Sequence, residues 1–421
     1  MALRATPKPS TFFLRKAASI KLRIEKGIAA GEVSIPPSKS MSHRMLICSA
    51  LAQGQSVLKN VLDCEDVQAT IECLKALGVQ LNEDGHSLMV TGTDITQACA
   101  KRPLFCRESG STLRFLIPLA LLSGQEIVFE GETSLMNRPM GVYEILSHEH
   151  DIYFKQEGNA IKVKGPLKPG TFELPGNISS QFISGLLFAL PLLGESSTIL
   201  LTTEVESRPY IDMTLGALEA FGVEAYWEDS QSIKVPGGQN YLPQNLSIEG
   251  DASSAAFIDA LNLFGGNVLL KGPAPSGLQA DSIYPLLYDL LCSEDAEISL
   301  SACPDLGPIL FAIAAAKHGA NFYNTKRLKI KESDRVQAMA DELYKFGANV
   351  QVGEDSVKIR ADHFHAPKET LHGHNDHRIV MALSILLSLT GGEIEDAQAV
   401  SKSYPNFFND LKTLGIEVKE L

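Results

Sequence analysis

The sequence predicts an α/β chain built from a repeated strand-helix-strand-helix-strand-strand unit. Three observations carry that prediction: small, polar helix openings at a regular spacing, amphipathic helices that end in glycine, and short alternating strands after them. The openings stand at Pro36-Pro37-Ser38-Lys39-Ser40-Met41-Ser42-His43-Arg44, Glu108-Ser109-Gly110-Ser111-Thr112-Leu113-Arg114 and Gly176-Asn177-Ile178-Ser179-Ser180-Gln181. They recur at Gly250-Asp251-Ala252-Ser253-Ser254, Cys303-Pro304-Asp305-Leu306-Gly307 and Asn375-Asp376-His377-Arg378. Most lie about 70 residues apart, with one interval nearer 50, which is the signature of an internal repeat. The unit therefore occurs six times.

Each opening leads into an apolar helix, as at 182–193 and 379–389. Later in most units comes an amphipathic helix, at 66–77, 211–221 and 334–346, closed by Gly78, Gly222 and Gly347. Glycine is the usual residue just past a helix end because it enters the left-handed region without a Cβ clash. Alternating strands follow at 87–90, 160–163 and 356–359.

The chemistry of the openings is anionic recognition. A helix start has unpaired N–H groups and the positive end of the dipole, and the first opening adds Lys39 and Arg44. It is not a Walker A loop, which needs glycine directly before the lysine, where Ser38 stands. With 421 residues the chain has room for two or three domains with proper cores. The net charge of -13 argues against nucleic acid, while basic residues gathered in the junctions point to small anionic substrates. Seven cysteines without CxxC spacing fit a reduced, cytoplasmic protein. No apolar stretch has membrane-spanning length. The first 21 residues carry Arg4, Lys8, Arg15, Lys16 and Lys21 and no acid until Glu25. They loosely resemble a transit peptide without the apolar core of a secretory signal, and are read as an extension.

Two carboxylates stand out as proton carriers. Glu332 lies among cations in Lys329-Ile330-Lys331-Glu332-Ser333-Asp334-Arg335, and Asp305 occupies the fifth opening. The crowd of His363, His365, His372, His374 and His377 lacks a helical i,i+4 pair with a glutamate, so no metal is expected. Arg378 suits a carboxylate or phosphate through its guanidinium fork.

The ordered segments PPSKSMSHR, ESGSTLRF, NRPMGV, NISSQF, SRPYIDMT, GDASSAAF, CPDLGP, KIKESDR, NDHR and VSKSYP resemble those of the 5-enolpyruvylshikimate-3-phosphate synthase family, over nearly the whole chain from Leu22. The resemblance implies a two-lobed inside-out α/β barrel with three units per lobe and the active site in the interlobe cleft. It assigns 1–37 and 250–421 to one lobe and 38–249 to the other, with crossings near Pro36-Pro37 and Glu249-Gly250. It also implies a monomer with no cofactor, acting on phosphoenolpyruvate and shikimate 3-phosphate. By motif, phosphoenolpyruvate falls to Lys39, Gly110, Arg114, Arg138, Gln181, Arg335, Arg378 and Lys402. Shikimate 3-phosphate falls to Lys39, Ser40, Arg44, Ser179, Ser180, Gln181, Ser207, Asp305 and Lys331. Asp305, Glu332 and Lys39 become the catalytic set.

Two residues depart from the family pattern. Glu108 stands where many members carry Asn, and a carboxylate there is unexpected unless it pairs with an arginine; Arg327 stands where some carry an Asn that touches the phosphorylated sugar acid. A related transferase acting on a UDP-amino sugar is the near alternative, but it commonly has a lid cysteine, and none lies between Arg114 and Arg138. A non-catalytic repeat protein that binds anions would need neither Asp305 nor Glu332. Cations on both faces of a cleft are also expected to repel each other.

Overall fold

Five of the six openings supply a capping side chain; the fifth, with Asp305, does not. In the computed structural model, which describes residues 19–85 and 87–421, helix α1 (Lys39–Leu51) starts where the Ser38 side chain accepts from the Met41 N–H at 3.4 Å. The basic extension singled out above lies outside the described residues up to position 18. Helix α2 (Glu65–Ala76) completes the first unit. The second holds α3 (Gly110–Leu121), capped by Ser109, then the short α4 (Thr133–Met136) and α5 (Gly141–Glu149). In the third, Ser179 caps α6 (Ser180–Ala189), and α7 (Arg208–Ala220) follows. Beyond residue 250 come α8 (Ala252–Leu263), capped by Asp251, and α9 (Tyr284–Leu291). They are followed by α10 (Gly307–Ala316), α11 (Arg335–Lys345, capped by Asp334), α12 (His377–Thr390, capped by Asp376) and α13 (Phe407–Thr413). A capping side chain satisfies one of the N–H groups that a helix start leaves orphaned.

The described strands form six sheets, and their pairing explains the repeat. In four of them a parallel pair is extended by an antiparallel hairpin, as in Thr171–Leu174, Ser197–Leu201, Ser232–Val235 and Tyr226–Trp227. The other two depart from six equal copies. The fourth unit contributes only Asn267–Lys271 to a two-stranded sheet and has no terminal hairpin of its own. In the last, the N-terminal strand Leu22–Ile24 lies between Gly392–Ile394 and Val418–Glu420, joining the first strand of the chain to its end.

Two strands are also exchanged. Ala30–Ser34 runs parallel to Asn267–Lys271, while Asn245–Ser247 runs parallel to Gln55–Lys59. Each thus stays with the sheet that the chain is about to leave. The two crossing segments pair with one another: the Ser38 N–H donates to Glu249 O at 2.8 Å and the Asp251 N–H to Pro36 O at 2.8 Å. A parallel partner need not be near in sequence, so alternation alone cannot reveal an exchange of this kind.

Two large hydrophobic cores result. One gathers residues from Leu46 to Tyr241; the other joins Leu22–Val33 to residues from Ala256 to Val418. The helices after the polar openings are buried nearly all round, α10 from Gly307 to Ala315 and α12 from His377 to Ser388. A helix apolar on every face belongs at the centre of its core. The amphipathic helices lie farther out and end at Gly78, Gly222 and Gly347, with φ of 100°, 75° and 88°. Among the described residues no helix is long and apolar enough to cross a membrane.

Helices α3 and α6 meet closely because Gly185 has no side chain. A Cβ there would lie 2.4 Å from Arg114 O and 2.8 Å from Tyr143 Oη. The Gly185→Ala protein should therefore be destabilised by about 1–3 kcal/mol, the usual cost of overpacking. Scanning calorimetry measures this, and an unchanged melting profile would show that the helices do not need their close approach.

Candidate active site

Four of the six polar helix openings meet at one cavity between the two cores. From the first core Lys39, Ser40, Arg44, Gly110, Arg114, Arg138, Ser179, Ser180, Gln181 and Ser207 line it. Asp305, Lys331 and Glu332 face them from the second. Three of the sequence-assigned residues stand outside this lining. Arg335 and Arg378 lie behind Asp305, and Lys402 is held at the margin by Glu108 and by Asn375 O at 2.6 Å.

Arg335 organises the second face. It is 1% exposed, and its guanidinium meets three carboxylates: Asp305 Oδ1 at 3.0 Å, Glu332 Oε2 at 2.7 Å and Asp376 Oδ2 at 2.8 Å. Asp376 is also the cap of α12, so the ion network is tied to a helix start. Arg378 Nη2 and Lys331 Nζ reach Asp305 at 2.9 and 3.3 Å. Burial would raise the pKa of Asp305, but Arg378 foremost, then Lys331 and Arg335, hold it well below the ordinary range. Burial opposes the same shift at Glu332, where Arg335 and then Arg138 prevail. Both carboxylates are therefore ionised near neutral pH.

The first face is cationic but internally braced. Lys39 Nζ stands 3.1 Å from Asp66 Oδ2; burial lowers its pKa, yet Asp66 and Glu332 leave it raised overall. Arg44 donates to Thr214 Oγ1, Ser40 O and Tyr210 O at 2.9, 2.9 and 2.8 Å. Arg114 donates to Gln181 Oε1 at 2.8 Å and Pro139 O at 3.1 Å. Gln181 in turn donates to Ser111 Oγ at 3.0 Å. Burial lowers both arginines to about 10, so they remain charged near neutrality. Gly110 is needed for this crowding: a Cβ there would approach Arg138 Nη1 to 3.0 Å and Gln181 Oε1 to 3.3 Å.

Across the cavity the charges are complementary, which corrects the expected repulsion. Arg138 Nη1 faces Glu332 Oε1 at 3.9 Å, Arg327 pairs with Glu206, and Lys402 pairs with Glu108. The partner of Glu108 is thus a lysine and not an arginine. Sequence reasoning also missed Asp66, Tyr210 and Asp376. Asp66 could have been noticed as an acid in the opening of α2, and Asp376 as a cap beside a basic run. Tyr210 has no comparable signal; its hydroxyl donates to the buried Asp281 at 3.2 Å. The clustered histidines do not converge: His374 Nε2 faces Glu342 at 3.2 Å and His372 Nδ1 faces Glu395 at 3.5 Å, while His377 is buried against α12's own cap. Among the described residues no three His, Cys, Asp or Glu side chains are grouped as metal ligands.

The comparisons with known proteins agree with one another. The family model described as EPSP synthase (3-phosphoshikimate 1-carboxyvinyltransferase) matches residues 25–293 and 291–411. A 3-phosphoshikimate 1-carboxyvinyltransferase of Clostridium kluyveri is 41% identical over 93% of this chain and 96% of its own. The namesake of Clostridium acetobutylicum is 40% identical over the same shares. The solved EPSP synthase of Acinetobacter baumannii shares the fold, with a TM-score of 0.76 at 23% identity, covering 95% of this chain and all of that one.

Removing Arg335 leaves three carboxylates around one buried space. The Arg335→Met protein should lose about 3–5 kcal/mol near neutral pH, the range for stripping one partner from a buried ion pair. Because the folded pKa values of Asp305 and Glu332 are depressed, their stabilising contribution is present above the unfolded carboxylate range and is lost as pH falls through the folded values. In the variant those groups can relieve their repulsion by protonation, so its deficit against the parent should shrink toward about pH 4. Urea unfolding across pH checks both points; a deficit that is constant with pH would contradict the charge argument.

Proposed function

The chain belongs to the EPSP synthase family, and on that premise we propose that its cleft carries out the family's reaction through Asp305, Glu332 and Lys39. The enolpyruvyl group of phosphoenolpyruvate passes to the 5-hydroxyl of shikimate 3-phosphate and phosphate leaves. The reaction belongs to the shikimate route to chorismate and the aromatic amino acids. The observation that carries the residue assignment is that Arg335 joins two ionised carboxylates on one face, opposite Lys39 and Arg138 on the other.

The chemistry needs a proton added to the methylene carbon of the enol and a proton taken from a hydroxyl. Asp305, kept ionised by three cations, is suited to accept the hydroxyl proton. Glu332 is suited to carry the other. Arg138 and Lys39 are among the cations that hold its pKa down, and incoming anions engage those same cations. Substrate charge therefore raises the Glu332 pKa, so that it takes up a proton from solvent as the substrates bind and then delivers it to the methylene carbon. The Lys39 ammonium stays charged and stabilises negative charge developing between the substrates. Two multiply charged anions held side by side require this density of cations.

Phosphoenolpyruvate is assigned to Lys39, Gly110, Arg114, Arg138, Gln181, Arg335, Arg378 and Lys402. Shikimate 3-phosphate is assigned to Lys39, Ser40, Arg44, Ser179, Ser180, Gln181, Ser207, Asp305 and Lys331. We further assign residues 38–249 to one lobe and 1–37 with 250–421 to the other, supported by the two separate cores and the exchanged strands. The chain acts as a cytoplasmic monomer in this account.

Purified protein should release phosphate when it meets both substrates together and not with either alone. Asp305→Asn and Glu332→Gln should each lower kcat by about 100-fold or more with the fold retained. Near-normal turnover in either folded variant would remove that residue from the catalytic set.

Arg114 and Arg44 separate the two substrates. Arg114→Ala should raise chiefly the KM for phosphoenolpyruvate, and Arg44→Ala chiefly that for shikimate 3-phosphate, each by about tenfold for one lost charge-assisted contact. Steady-state kinetics with each substrate varied in turn would expose a reversed assignment as swapped patterns.

A further inference from the structure

We propose that Glu108 is a positioning residue for phosphoenolpyruvate, reaching out of its own core to fix the Lys402 ammonium at the margin of the cleft. The inference rests on the assignment of Lys402 to that substrate. Glu108 directly precedes Ser109, the cap of α3, and Gly110 of the same turn lines the cavity. Its carboxylate accepts from Ser134 Oγ at 2.6 Å within its own half. From the other half it takes Asn375 Nδ2 at 3.0 Å and pairs with Lys402 Nζ. One carboxylate thus ties the opening of α3 to two segments that approach it from the second core.

Several features distinguish this from an ordinary surface ion pair. The Lys402 side chain is only 6% exposed and that of Glu108 20%, so the pair is poorly screened by solvent. Glu108 has more than one donor, and its carboxyl is held below its usual pKa: burial opposes the shift, and Lys402 foremost overcomes it. Lys402 also donates to Asn375 O at 2.6 Å. With two of its three donor directions committed among the described residues, one N–H is left for an anion. A long, flexible lysine would otherwise lose its rotamer freedom when the substrate binds; here the loss occurs beforehand. Glu108 has no contact with Asp305 or Glu332. Its influence should therefore fall on phosphoenolpyruvate affinity and not on the chemical step.

The test is a double-mutant cycle in the full chain, with kcat and both KM values measured. Glu108→Gln, which keeps the shape and removes the charge, should raise the KM for phosphoenolpyruvate by about tenfold, equivalent to one charge-assisted hydrogen bond. Its kcat and its KM for shikimate 3-phosphate should stay within about twofold, and Glu108→Asp should restore part of the loss. In a Lys402→Ala background, Glu108→Gln should have no further effect, because the route of its action is gone. If Lys402→Ala leaves the KM for phosphoenolpyruvate unchanged, the substrate assignment of Lys402 fails. If Lys402→Ala raises it but Glu108→Gln does not, the positioning role fails instead. A lower KM in Glu108→Gln would mean that the carboxylate competes with substrate for Lys402, and would overturn the proposal. So would an equal rise in both KM values with a fall in melting temperature.

Discussion

A single buried guanidinium holds the second face of the cleft together. Arg335 meets Asp305, Glu332 and Asp376 at once, and no neighbouring group could take over all three contacts. Three carboxylates this close would not all stay ionised without a shared cation. The same contact sets the conformation of the Lys329–Arg335 run, which otherwise has only short 3-10 structure before α11. It also links that run to the caps of α11 and α12, so catalytic geometry and helix termination depend on each other. The cost of burying these charges is met by mutual pairing, which is why loss of the one cation is more damaging than loss of any one acid.

Closure of the two halves follows from complementary charge. Arg138 with Glu332, Lys402 with Glu108 and Arg327 with Glu206 are three pairs, each formed by residues from different halves. Two backbone hydrogen bonds also join the crossing segments to each other. In the proposed function the anionic substrates engage the cations that face Glu332, while Glu108 stays paired with Lys402. The Glu332 carboxyl responds to occupancy in that proposal, because Arg138 and Lys39, two of the cations that hold its pKa down, are assigned to the substrates.

The repeat and the cleft residues were legible because their chemistry is local. A small hydroxyl or carboxylate before an apolar run marks a helix cap, and the caps at Ser38, Ser109, Ser179, Asp251 and Asp376 fall where the openings indicated. Glycine after an amphipathic helix marked Gly78, Gly222 and Gly347 in the same way. What stayed hidden depends on distant partners. Asn375 lies 267 positions from Glu108, and no pattern within either segment shows that they meet. No pattern within Ala30–Ser34 or Asn245–Ser247 shows which sheet each joins, since both have the composition of an ordinary strand; their assignment to halves came from the family resemblance alone. The shortened fourth unit was missed because its opening, Gly250 to Ser254, is as regular as the others.

The central claim is that Asp305 and Glu332 form an anionic pair held by Arg335 in the free protein, before substrate charge lets Glu332 take up its proton. Carboxyl carbon-13 resonances of the free protein, assigned by Asp305→Asn and Glu332→Gln and followed through a pH titration, test it directly. The account predicts that both resonances are still in the ionised position at about pH 4, where an ordinary carboxylate would be about half protonated. Protonation of either group between about pH 5 and pH 7 in the free protein would contradict it.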